Sequence, residues 1–210
     1  MIDRILDYLD ELYPNPKCEL NYNKDYELLI AIVLSAQTTD KRVNKGTEVL
    51  FKKYPSLKDL SKANICDIED IIREIGTFRR KSVYVIEIAK KLVIDGYDYV
   101  PNDRTYIENL PGVGRKTANV FLSNIYNEAA IAVDTHVSRV SKRLGLVKEN
   151  DDVVKIEKKL EKKIPRDRCG KTHHQMVLFG RYHCKAVKPD CINCKLCDIC
   201  KYKKKIDEIR

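Results

Sequence analysis

An all-α fold is predicted from three observations: apolar residues recur at helical spacing along most of the 210-residue chain, no stretch sustains strand alternation, and turn formers cut the periodic segments short. In chain order, Ile2, Ile5, Leu6, Leu9 and Leu12 form the first apolar stripe. Residues 26–36 form the second candidate, and its stretch 28–34 is apolar on every side, as a helix enclosed by others must be, which places it at the centre of a core. Residues 41–53 follow, then a stripe of Ile65, Ile68, Ile72 and Ile75 that stops at Gly76. Further candidates span 81–94, 104–110, 116–126, 135–144, 153–163 and 172–182. Pro55, Gly76, Gly96, Pro101, Gly145 and Pro165 fall between them and give the short connections of a compact helical protein. There is no internal repeat and no low-complexity linker, and the length accommodates one domain or two interleaved lobes.

Composition narrows the function classes. The net charge of +9, from 40 basic and 31 acidic residues, favours a polyanionic partner, although many basic proteins bind no nucleic acid. Apolar runs fall far short of the roughly 20 residues a membrane span needs, and the first residues alternate charge with apolar side chains, unlike a signal peptide. A soluble, intracellular chain is expected. Five of the eight cysteines crowd between Cys184 and Cys200, which favours a metal centre over disulfides. By spacing alone a four-cysteine zinc site and an iron-sulfur cluster are equally good readings. Cys18, Cys66 and Cys169 are scattered and read as small, semi-buried apolar residues.

Between two helix candidates runs Leu110-Pro111-Gly112-Val113-Gly114-Arg115-Lys116-Thr117, whose glycines permit a tight turn with backbone N–H groups close to an anion. An ordinary interhelical turn would look the same. Lys116, however, falls in the first turn of the next helix, where the dipole disfavours a cation, so helix stability explains it poorly. A lysine is nucleophilic only as the neutral amine, about one molecule in a few thousand at pH 7 when the side chain titrates at its ordinary value of about 10.4. Desolvation, the helix N-terminus and Arg115 would jointly have to supply about 4 kcal/mol to bring that value to about 7–8. Asp134, in Ala132-Val133-Asp134-Thr135-His136, is placed as a helix N-cap; the same carboxylate can assist proton transfer and stabilise a developing positive charge on a sugar.

These residues resemble the endonuclease III family of the helix-hairpin-helix base-excision glycosylases. The match runs from Leu34-Ser35-Ala36-Gln37-Thr38-Thr39-Asp40 through Ile75-Gly76, residues 110–119 and Val133 to His136, to Phe179-Gly180-Arg181-Tyr182-His183-Cys184 and the terminal cysteines. It covers almost the whole chain. The resemblance implies a two-lobed fold: a six-helix lobe over 18–128 with the hairpin, and a second helical lobe from 1–17 and 129–210 with a cluster loop. It implies a monomer in the cytoplasm or nucleoid, or in a eukaryotic nucleus, acting on double-stranded DNA with damaged pyrimidines or abasic sites bound across the cleft between the lobes. Lys116 would be the Schiff-base nucleophile and Asp134 its catalytic partner, releasing oxidised pyrimidines and cutting the strand 3′ to the site by β-elimination. Gln37 would fill the space left by the flipped nucleotide, Gly112, Val113, Gly114 and Arg115 would bind the DNA backbone, and Lys185 and Lys188 would approach phosphates.

The family arrangement C-x6-C-x2-C-x5-C assigns a [4Fe-4S] cluster to Cys184, Cys191, Cys194 and Cys200, and leaves Cys197 out. The run Cys191, Cys194, Cys197 would instead allow three ligands from C-x2-C-x2-C, with Cys184 the fourth. One departure stands out: where similar proteins often carry a large apolar wedge after Ile-Gly, this chain has Thr77 followed by Phe78. The basic run Lys201-Tyr202-Lys203-Lys204-Lys205 adds charge beside the cluster loop. The rival readings are a thymine or uracil mismatch glycosylase of the same superfamily, a branch without the nucleophilic lysine, and a non-catalytic iron-sulfur DNA-binding protein, which leaves Lys116 and Asp134 without a purpose.

Overall fold

The computed structural model describes residues 1–202, so Lys203 to Lys205 of the basic tail lie outside the described residues. Eleven α-helices are formed among them: α1 Ile2–Leu12, α2 Asp25–Ser35, α3 Asp40–Lys53, α4 Leu57–Ser61, α5 Ile65–Ile71, α6 Phe78–Ile94, α7 Arg104–Glu108, α8 Arg115–Ile125, α9 Thr135–Arg143, α10 Val153–Lys163 and α11 Cys169–Leu178. A 3-10 turn, Arg166–Arg168, precedes α11, and one π turn, Phe179–His183, extends it. The expected all-α fold is present, and no described helix is long and apolar enough to cross a membrane. The chain divides into two compact units, Cys18–Tyr126 and Met1–Lys17 with Asn127–Arg210.

In the first unit, α2 is the hub. Every residue from Tyr26 to Leu34 is buried, and α3, α6 and α8 pack around it. Full burial of its leucines and isoleucines stabilises the fold by about 1.5–3 kcal/mol each. Its start is fixed by Glu27, whose Oε2 accepts from the backbone N–H groups of Asn23 (2.7 Å) and Lys24 (3.2 Å). The single turn α4 was not expected from the sequence; Ser56 caps it by accepting from the Asp59 N–H, and Leu57 and Leu60 bury its apolar side against α6. Helix α6 starts at Phe78, three residues before the expected Lys81, because Thr77 adopts a left-handed conformation (φ 56°) and serves as its N-cap.

In the second unit, α1 buries Ile5, Leu6, Tyr8 and Leu9 and packs on α11. Asp10 ties the two helices together, accepting from Gln175 Nε2 at 2.8 Å and pairing with Arg168 and Lys171 at 2.7 Å; these contacts hold its carboxyl below the usual carboxylate range. The cysteine-rich segment has little secondary structure. It is anchored by fully buried Leu196 and by α1, through Arg4 to Asp198 and the Lys195 carbonyl and Tyr8 to the Asn193 carbonyl. Of the scattered cysteines, Cys169 is buried and Cys18 half-buried, but Cys66 is exposed, because the first turn of α5 faces solvent.

Candidate active site and cysteine centre

The turn between α7 and α8 is closed by the Val113 N–H donating to the Leu110 carbonyl at 3.1 Å. Pro111 and Gly112 occupy its central positions, and Gly112 has φ 76°, as a type II turn requires. Buried Val113 anchors the turn in the core, while Gly112, Gly114 and Arg115 are exposed. Gly114 is the N-cap of α8 and provides no side-chain cap, so the terminus of this eleven-residue helix suits an anionic acceptor. Lys116 is the second residue of α8; it is exposed and makes no hydrogen bond or ion pair among the described residues. The chain's own packing therefore leaves this amine in water.

Asp134 caps α9, its Oδ1 accepting from the Val137 N–H at 2.8 Å. It is half-buried, and its other oxygen has no partner among the described residues. The cap leaves half of the carboxylate free for chemistry. Two residues on, His136 is held below the usual imidazole range, first by burial and then by Arg139 and Arg181. Lys116 and Asp134 belong to different units.

Gln37 is exposed and left-handed (φ 59°) just after α2, and Thr77, also left-handed, is exposed at the start of α6. Phe78 is half-buried and packs against the core. Lys185 and Lys188 are exposed on the segment after Cys184.

All five terminal cysteines line one cavity, walled also by Leu144, Phe179 and Tyr202. Thiols gathered round one cavity are the donor set that an iron-sulfur cluster takes. The sequence reading missed the two arginines that build this region. On α9, Arg139 donates to the carbonyls of Gly180 (2.8 Å) and Cys184 (3.2 Å). One turn later, Arg143 donates to Cys184 Sγ (3.4 Å) and the Lys185 carbonyl (2.7 Å), and stacks on Tyr202 at 3.9 Å. Their spacing of four on one helix was the signal available.

The model of the HhH-GPD superfamily of base excision DNA repair proteins matches residues 30–166, which span the helix-hairpin-helix and Asp134. An endonuclease III of Bacillus subtilis (strain 168) is 42% identical over 99% of this chain and 94% of its own length. A solved structure of a trapped endonuclease III-DNA covalent intermediate superposes with a TM-score of 0.93 at 45% identity, covering 100% of this chain and 97% of that one. A thermostable thymine-DNA glycosylase shares the fold, with a TM-score of 0.87 at 24% identity over 97% and 96% of the two chains. By fold and hairpin this is a base-excision repair protein of that superfamily. Within it, the chain belongs to the endonuclease III family. It is accordingly a bifunctional enzyme, a DNA glycosylase and AP lyase.

Proposed function

We propose that the chain removes oxidised pyrimidines from double-stranded DNA through a Schiff base on Lys116, and then cuts the strand 3′ to the vacated site. The observation that carries this reading is the position of Lys116: an exposed, unpaired amine in the first turn of α8, directly after a turn whose amides suit a phosphate. A first-turn cation costs helix stability, and a reaction with DNA gives it a purpose. Relatives of known structure have been captured covalently and non-covalently on DNA, which supports the same substrate here.

The reaction requires the damaged nucleotide to leave the stack, at a cost of a few kcal/mol that damage reduces. The neutral Lys116 amine attacks C1′, and the C1′–N bond to the base breaks with its electron pair, which is protonated as the base leaves. The free oxygen of Asp134 stabilises positive charge as it develops on the sugar and assists these proton transfers. The C1′–O4′ bond then opens, with O4′ taking a proton, to leave the iminium at C1′; its C2′ proton is acidic, removal of that proton expels the 3′ phosphate, and water releases the lysine. Desolvation of Lys116, missing from the free chain, would come with DNA seated over the hairpin, so activation is coupled to binding.

We assign a [4Fe-4S] cluster to Cys184, Cys191, Cys194 and Cys200, whose iron-thiolate bonds would tie the loop carrying Lys185 and Lys188 into one rigid element. Borohydride trapping on a duplex containing thymine glycol tests the whole reading: a covalent adduct supports it, and excision without any adduct would replace it with a mismatch-type mechanism that uses water.

A further inference from the structure

Lys81 lies in the first turn of α6 and is buried, with 4% of its surface exposed. Its Nζ donates to the carbonyls of Leu34 (2.9 Å) and Ala36 (2.6 Å), where α2 ends. No carboxylate pairs with it among the described residues, and burial pushes its pKa down. This location is unfavourable twice over, since a cation is out of water and at the positive end of its own helix. An apolar residue of the same length would fill the space without either cost. What the amine alone can do is hold two carbonyls that the end of α2 leaves unsatisfied.

Those carbonyls lead directly into Gln37, and the backbone N–H of Lys81 donates to the carbonyl of Thr77 at 3.1 Å. One residue is thus bonded through its side chain to the residue before Gln37 and through its main chain to Thr77. The two loops run close together: a Cβ built on Gly76 would lie 3.6 Å from the Gln37 carbonyl oxygen. Gln37 and Thr77 both adopt the left-handed region, which is unfavourable for any L-residue and especially for a β-branched one, so surrounding structure must hold them there.

We infer that Lys81 is a positioning residue that staples the Gln37 and Thr77 loops into one rigid pair, preset to enter the duplex where a nucleotide has been flipped out. The inference rests on the proposed glycosylase reading. The paired loops supply by rigidity part of what a large apolar side chain at position 77 would supply by volume, and no loop rearrangement accompanies entry into the stack. Lys81 itself does not touch the substrate.

The test compares single-turnover excision of dihydrouracil from a fully paired duplex with excision of the same base inside a three-nucleotide bubble, where unstacking has already been done. Lys81→Met should lose about tenfold or more on the paired duplex yet stay within about twofold of wild type on the bubble, since only the first substrate must be opened by the loops. Lys81→Gln, which keeps an N–H donor, should recover part of the paired-duplex rate; it carries the same comparison if the Met variant does not fold. Adding Lys81→Met to Gln37→Ala should cost little beyond Gln37→Ala alone, because the two changes disable one device. Equal losses on both substrates, no loss on either, or additive losses in the double variant would overturn the inference. A wild type that excises dihydrouracil from neither substrate would overturn the functional reading, and this inference with it.

Discussion

The ring of Tyr84 lies against the Cα of Gly112, so close that a Cβ there would come within 2.5 Å of the Tyr84 Cδ2 atom. Tyr84 stands on α6 and Gly112 in the hairpin turn, and Arg80 caps the arrangement by stacking on the ring and donating to its hydroxyl. Gly112→Ala should therefore lose stability twice, by about 1–2 kcal/mol from the left-handed backbone and by a further amount from the clash. Adding Tyr84→Ala should remove the clash but not the backbone cost. Melting temperatures of the two single variants and the double variant check this, and a double variant as poor as the sum of its parts would contradict the steric account.

Lys116→Gln should abolish the borohydride-trapped adduct while changing stability by less than about 0.5 kcal/mol, as expected for an exposed side chain with no partners. Binding to damaged duplex should persist, because the turn amides are untouched. An adduct of undiminished yield would move the nucleophile elsewhere.

Asp134 separates stability from catalysis. Asp134→Asn keeps a good N-cap and should cost only a few tenths of a kcal/mol, whereas Asp134→Ala should cost about 1 kcal/mol. Activity should fall together in both variants, by about a hundredfold or more, since each lacks the charge. Retention of activity in the Asn variant would reduce Asp134 to a helix cap.

Cys197 lines the same cavity as the four assigned ligands. Cys197→Ser should keep a brown protein with about four irons per chain, and Cys200→Ser should lose or degrade the cluster. Iron analysis and the visible spectrum decide; the reverse pattern would move the fourth ligand to Cys197.

For Lys185 and Lys188, replacement of both by alanine should weaken binding on every DNA sequence and flatten the plot of log affinity against log salt by about 0.9 for each lost phosphate contact. Their exposure and the clamp of Arg143 on the Lys185 carbonyl favour such contacts. An unchanged slope would place both outside the interface.

Helices with a strong apolar pattern were legible in the sequence, and α2 most of all, because a run of residues with no polar face can only be enclosed. The α7–α8 turn was legible for a different reason: few residue pairs other than Pro-Gly satisfy its dihedral angles. Helix α4 was hidden because five residues hold too little of a period, and only Ser56 with Asp59 marks it. The start of α6 was misplaced because Thr77 is a residue type that rarely enters the left-handed region, so nothing local announces the cap. Lys116, Asp134 and the cysteines could be singled out because their types are chemically conspicuous. Lys81 and Tyr84 could not, since Lys81 holds backbone carbonyls and Tyr84 the Cα of a glycine, all distant in sequence, and for Arg139 and Arg143 the pattern offered only their spacing of four and nothing of their partners.

The anchoring of the cysteine segment by α1 has a bearing on the order of assembly. Arg4 and Tyr8 grip residues 193–198, so the unit that contains them is built from two segments far apart in sequence, whereas residues 18–126 form a continuous stretch with a core of their own. During synthesis the continuous stretch can fold while the remainder is still being made, and the apolar stripe of α1 must wait for α11, about 160 residues further on, which is on the order of ten seconds or more at ordinary elongation rates. Closure of that second core and completion of the cysteine-lined cavity therefore both fall late. A chain interrupted between α8 and α11 would display a well-formed hairpin and an orphaned first helix, which is a form that proteolytic quality control can recognise.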